Sequence, residues 1–181
     1  MSNAIQLNAR RRQPVEPDAI ALLLECHQRI RAFTHLAWRA ATEAVTDSER
    51  SAACAQCLRY FAHALPLHVA DEDVSVMPRL MHVAHTPAAT LAALAQMHAQ
   101  HREHEAGMLA FTAALASVQH APADASARAT LAACAEAMRA AFDEHLANEE
   151  THIFPVLAQL PATELAAITD EIRQRRMPPR K

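Results

Sequence analysis

Apolar residues recur at helical spacing through four long stretches of the chain, and the stretches are separated by prolines and short polar clusters. Breaks fall at Pro14 and Pro17, at Thr46-Asp47-Ser48, around Pro87, from Pro122 to Ser126, and at Pro161. The first stretch runs from Asp18, a plausible N-cap, to Val45, with a stripe of Ile20, Leu23, Leu24, His27, Ile30, Thr34 and Ala37. The second begins after an Asp47 or Ser48 cap and carries Phe61, Leu65, His68, Glu72 and Val76, with a kink expected at Pro66. The third, from Thr90 to Val118, shows Leu91, Leu94, His98, His101, Glu105, Met108 and Leu115. The fourth, from Ser126 to Ala158, shows Leu131, Met138, Phe142, His145, Glu149 and Ile153. A shorter amphipathic stretch, Ala162 to Arg175, is expected to form a helix over one end, with a frayed tail from Met177 to Lys181. The predicted organisation is an extension over 1–17, a four-helix bundle over 18–160, and a C-terminal helix and tail over 161–181.

Composition supports that plan. A single glycine leaves almost nothing from which to build tight β-turns, so the fold class is all-α. With 181 residues the chain can bury a real core without a staple. Its formal charge of −3 and the isolated basic cluster Arg10, Arg11 and Arg12, with no aromatic interleaving, argue against a nucleic-acid partner. No apolar run spans a bilayer and the start lacks the apolar core of a signal peptide, so a cytoplasmic protein with no membrane partner is expected. Cys54 and Cys57 form a CxxC, but without a βαβ context or a second CxxC. Together with Cys26 and Cys134 they read as small buried helix residues of a reducing compartment.

The twelve histidines change the picture, because several fall inside the apolar stripes. Stretches two and four share one pattern, His68-Val-Ala-Asp-Glu72-Asp-Val-Ser-Val-Met-Pro78 and His145-Leu-Ala-Asn-Glu149-Glu-Thr-His-Ile-Phe-Pro155. In each, a glutamate follows the histidine by four, a second acid by five, a large apolar residue by nine and a proline by ten. Upstream, Phe61 matches Met138 and Leu65 matches Phe142. Residues four apart on a helix share a face, so each His-x3-Glu presents an imidazole and a carboxylate to one point in the core. A buried carboxylate is costly without a partner, and a cation compensates two at once. His27 and at least one histidine of stretch three complete the set. Four imidazoles and two carboxylates exceed the needs of one tetrahedral zinc and suit two metals sharing the carboxylates, non-heme iron first, with manganese or zinc as substitutes. Within stretch three His98, His101 and His104 remain alternatives, with His101 in mid-stripe. Asp71, Asp73 and Glu150 are expected either in solvent or against the second nitrogen of a ligand histidine. His152 reads as a gating or surface residue, His63 is expected to point elsewhere, and His35, His82, His85 and His120 read as surface or loop residues.

This doubled His-x3-Glu-[Asp/Glu] motif ending in an apolar-Pro pair, with histidines on helices one and three, resembles the hemerythrin-like HHE cation-binding domains. The resemblance covers roughly residues 18 to 160. It implies an up-down-up-down bundle with a carboxylate-bridged di-iron centre. One iron would take His27 and His68, the other His101 and His145, with Glu72 and Glu149 bridging both. The helix-three histidines at spacings of three, and Glu150 in place of an aspartate, differ from the oxygen-carrying hemerythrins. The pattern is closer to the iron-sensing and iron-centre-repair branches. The reading is a protein that binds or senses a small ligand (oxygen, nitric oxide) or iron, or else a di-iron redox enzyme acting on nitric oxide, peroxide or damaged iron-sulfur centres. Tyr60, two turns from His68, could serve only as a nearby hydrogen-bond or radical group, and alanine-rich outer faces leave a homodimer open.

Overall fold

In the computed structural model, which describes residues 18–83 and 85–177, every element among the described residues is helical. The extension over 1–17, with its prolines and basic cluster, and the end of the tail over 178–181 lie outside the described residues. Helix α1 spans Ala19–Thr42, and the Asp18 carboxylate caps it by accepting from the Ala21 N–H at 2.9 Å. Helix α2 spans Asp47–His63 and is capped one residue earlier than its sequence suggests. The Thr46 hydroxyl and the Glu49 carboxylate close a reciprocal capping box. Between the two helices the buried Arg50 guanidinium donates to the carbonyls of Ala40, Glu43 and Val45, which satisfies the end of α1.

Helix α3 spans Leu65–Ala70, separated from α2 at Ala64 by Pro66, which cannot continue the hydrogen-bond ladder. A π-helical turn follows at Asp71–Val76, then α4 at Met77–His82. The long α5 covers Ala88–His120 and α6 covers Ala125–Asn148, started by the Asp124 carboxylate. A second π turn, Glu149–Ile153, leads into α7 at Phe154–Leu157. Helix α8 spans Ala162–Arg175. The four long segments pack in a ring, α1 against α2 and α6, and α5 against α2 and α6.

Two apolar clusters fill this bundle. One is built on Ile30, Phe61, Phe111, Leu115, Met138 and Phe142, the other on Leu23, Val76, Leu94, Met97, Leu157 and Ile168. A polar layer of buried His27, His68, Glu72, His145 and Glu149 lies between them in sequence along each helix. Two faces differ from the sequence expectation. Leu24 is 37% exposed because α1 buries Leu23, Cys26, His27 and Ile30. Leu91, 43% exposed, and Glu105 face outward because the buried stripe of α5 runs through Ala93, Leu94, Met97, Gln100 and Phe111. The lone glycine, Gly107, lets α5 approach α6, since a Cβ there would meet the Met138 sulfur at 3.0 Å.

Helix α8 buries Ile168 and Ile172 in the second cluster and also carries cations to the first π turn. Asp71 is fully buried. Its two oxygens accept from Arg175 at 2.8 Å and from Arg176 at 2.6 Å. Asp71 is therefore neither solvated nor bound to a histidine, as its place in the motif suggested. Removing the partners of a buried charge costs far more than the pair itself contributes. Replacing Arg175 and Arg176 together by methionine should destabilise the protein by about 3 to 5 kcal/mol in urea denaturation, and adding Asp71→Asn should recover most of that loss.

Candidate metal centre

The prolines of the repeated motif shape the site. Pro78 and Pro155 have no N–H to give the carbonyl four residues back, and their rings crowd it, so the helix widens by one residue just before them. Met77 then donates to the Glu72 carbonyl and Phe154 to the Glu149 carbonyl, both five residues back. The carbonyls at matching positions, Ser75 and His152, are taken by side chains. Arg79 donates to the first at 2.9 Å and the Thr90 hydroxyl to the second at 3.0 Å. Side chains thus take up a carbonyl in each wide turn, next to the glutamate that the turn carries.

The two glutamates are 1% exposed and face four imidazoles. Glu72 Oε1 lies 3.2 Å from His68 Nε2 and 3.7 Å from His27 Nε2, and Glu72 Oε2 lies 3.3 Å from His101 Nε2. Glu149 Oε1 is 3.0 Å from His145 Nε2, and its Oε2 is 3.1 Å from His27 Nε2. The imidazoles pair edge to face, His27 with His68 at 5.1 Å and His101 with His145 at 5.0 Å between centroids. Two groups have donor atoms that all lie within 4.8 Å of one another, one of His27, His68, Glu72 and Glu149, the other of Glu72, His101, His145 and Glu149. Either group could hold a metal ion.

The unpaired atoms test that fit. The Nε2 atoms of His27, His68 and His101 and all four oxygens of Glu72 and Glu149 are buried without a hydrogen bond of acceptable geometry. Buried polar groups are nearly always satisfied, so a cluster of orphans converging on one place is what a cation would complete. Three of the four far nitrogens are held instead, the exception being His68 Nδ1, which has no partner. His27 Nδ1 donates to Glu150 at 2.8 Å, His101 Nδ1 to Asp73 at 3.1 Å, and His145 Nδ1 to Gln100 Oε1 at 2.9 Å. Placing the proton on Nδ1 leaves the Nε2 lone pair aimed inward. Glu150 is itself tied to Arg31 at 2.9 Å.

Charge follows the same geometry. Burial pushes His27 down, but the carboxylates of Glu149 and Glu72 outweigh it and raise it to about 10. His101 is raised in the same way, against its burial, by Glu72. Burial would raise Glu72, yet His68, His101 and His27 hold it well below the usual carboxylate range. His68, beside the cationic His27, is lowered chiefly by burial. Without metal the layer therefore holds itself together with protons on imidazoles.

All six residues expected from the sequence meet here. Of the three alternatives on α5, His101 reaches Glu72; His98 instead contacts the outer carboxylate of Asp73 at 3.2 Å and is 43% exposed, and His104 stands beside His145 at 5.4 Å between rings. Asp73 and Glu150 both hold imidazole nitrogens. The exposed His152 contributes its carbonyl, and His35, His63, His82, His85 and His120 are exposed. Gln100 and Arg31 were missed; the periodicity of α5 through Met97 and His101 marks Gln100, whereas nothing local marks Arg31. The four cysteines are free, and burial pushes Cys54 up to about 11 and Cys57 to about 12, which leaves no reactive thiolate in the CxxC. Tyr60 is buried, stacked 4.1 Å from Phe33.

A cavity of about 460 Å³ reaches the centre from one side. His68, His101, His104 and His145 line it together with Phe61, Leu65 and Phe142, whereas His27 is closed off, with Phe154 stacked on it at 5.1 Å. No helix among the described residues is long and apolar enough to cross a membrane.

No curated protein matches the chain. The family model for the hemerythrin HHE cation-binding domain matches residues 18–157, and matches again over 92–177. The first match takes in α1 to α7 with both copies of the motif, and the chain belongs to the hemerythrin HHE cation-binding domain family.

Proposed function

We propose that the chain is an up-down-up-down bundle that carries a carboxylate-bridged di-iron centre and uses it to bind or sense a small ligand, oxygen or nitric oxide, or iron itself. The observation that carries this reading is the sharing of Glu72 and Glu149 by both four-residue groups. A carboxylate with one oxygen toward each group is what a bridge requires. One ion is assigned to His27 and His68, the other to His101 and His145. Imidazole and carboxylate donors with no thiolate among them favour iron over a structural zinc. Such a centre supplies open coordination positions and one-electron chemistry when loaded. The chain's own part is to hold three of the imidazoles, those of His27, His101 and His145, in one tautomer, to keep water from the closed His27 side, and to admit small molecules along the cavity. That cavity also favours a second reading, a di-iron redox enzyme reducing nitric oxide or peroxide or repairing iron-sulfur centres, because it leaves room for a reactant beside three of the imidazoles. The free cysteines accord with a cytoplasmic setting.

Iron-loaded protein should contain two metals per chain with oxo-bridge or charge-transfer bands; one zinc per chain would refute the proposal. Glu72→Ala and Glu149→Ala should each weaken both metals, and loss of one metal alone would refute bridging. A reversible spectral change with oxygen or nitric oxide, without turnover, marks binding, whereas steady consumption of a reductant marks an enzyme. Glu150→Ala should weaken the ion at His27, and Asp73→Ala the ion at His101, each by roughly 10- to 100-fold in chelator competition.

Metal must displace the protons that the raised His27 and His101 hold. At pH 7 loading should release more than one and up to about two protons per chain, read by titration in buffers of different ionisation enthalpy. Affinity should rise with pH toward about 10, where His27 gives up its proton unaided.

A further inference from the structure

The cavity is far larger than oxygen or nitric oxide requires. Its volume of about 460 Å³ falls in the range that takes organic molecules. A water-sized molecule occupies roughly 30 Å³ of liquid, so a diatomic would leave most of the space empty. The walls are apolar, formed by Phe61, Leu65, Val69, Met108 and Phe142, and Leu109, 72% exposed, stands at the rim.

The inner end is different. There the cavity meets the imidazoles of His68, His101 and His145, of which His68 is 2% exposed and has no hydrogen bond on either ring nitrogen. His104, half-buried beside Phe142, makes no hydrogen bond among the described residues and is free to donate one. Charge is unbalanced at this end once metal is bound. Two divalent ions would bring four positive charges toward Glu72, Glu149 and Asp73, since Glu150 is already paired with Arg31. One negative charge is still wanted in a buried place.

We propose that the cavity binds an amphiphilic monocarboxylate, with an apolar body of up to about ten heavy atoms along the walls and its carboxylate at the histidine end. This rests on the two-metal reading for its charge and on the cavity alone for its chain.

The test is titration calorimetry of the full chain, loaded anaerobically with ferrous iron, against the straight-chain carboxylates from butanoate to decanoate, with decanol as the uncharged comparison and metal content measured on the same sample. Affinity should rise up to about fourfold for each added methylene, the factor that burying one CH₂ implies. Decanol should bind at least tenfold more weakly than decanoate. Val69→Phe should weaken decanoate at least tenfold and butanoate less than twofold, and Leu65→Phe serves the same purpose if the first variant does not fold. Two bound metals with equal affinity along the series would overturn the proposal and leave the metal reading intact. Decanol binding as well as decanoate would overturn the carboxylate head. A chain without metal that keeps the length dependence would refute the di-metal reading and retain the apolar site, and one that shows neither loses both.

Discussion

Two carboxylates held in the middle of an apolar bundle constrain everything else in this molecule. Glu72 and Glu149 are both about 1% exposed, and no Lys or Arg reaches either among the described residues. Charges so placed cannot be left unanswered. The answer is a layer of imidazoles drawn from four helices, of which His27 and His101 are pushed toward the cationic form by the carboxylates when no metal is there to answer them. The layer separates two apolar clusters that carry the packing. Stability and chemistry are therefore assigned to different slabs of the same bundle.

The repeat gives the centre an approximate symmetry that crosses between helices. In each copy, the acid after the glutamate reaches over to an imidazole on another helix, Asp73 to His101 and Glu150 to His27. In each copy, a proline ten residues after the histidine sets the wide turn. The copies are not equal, because Glu150 is tied to a guanidinium, while Asp73 also contacts the surface histidine His98. The two halves thus sit in different fields, and the cavity opens beside only three of the four imidazoles.

The helices and the six inward residues were legible because both obey local periodicity. Four segments at 3.6 spacing and His-x3-Glu at one turn say which face is buried without knowledge of the partner helix. The Asp18 cap was legible for the same reason. Three features were not. The π turns were hidden because Pro78 and Pro155 announce a break without saying whether the ladder bends or widens. The choice among His98, His101 and His104 turned on the rotation of α5, which its exposed Leu91 obscured. The role of Asp71 was invisible because its partners, Arg175 and Arg176, lie more than a hundred positions away. Sequence proximity made it look like a member of the motif, whereas spatial proximity makes it part of the clasp with α8.

That clasp sets an order in time. Asp71 precedes its two cations by 104 and 105 positions, and it sits next to Glu72 at the start of the first π turn. At ribosomal speeds of about 5 to 20 residues per second, the turn waits roughly 5 to 20 seconds after its own synthesis before its buried charge is answered. A nascent chain already holds His27, His68 and Glu72 during that interval, but not the scaffold that aims them. Assembly of the layer therefore waits for Arg175 and Arg176 to be made, and a shorter nascent chain would present its imidazoles and carboxylates unaimed.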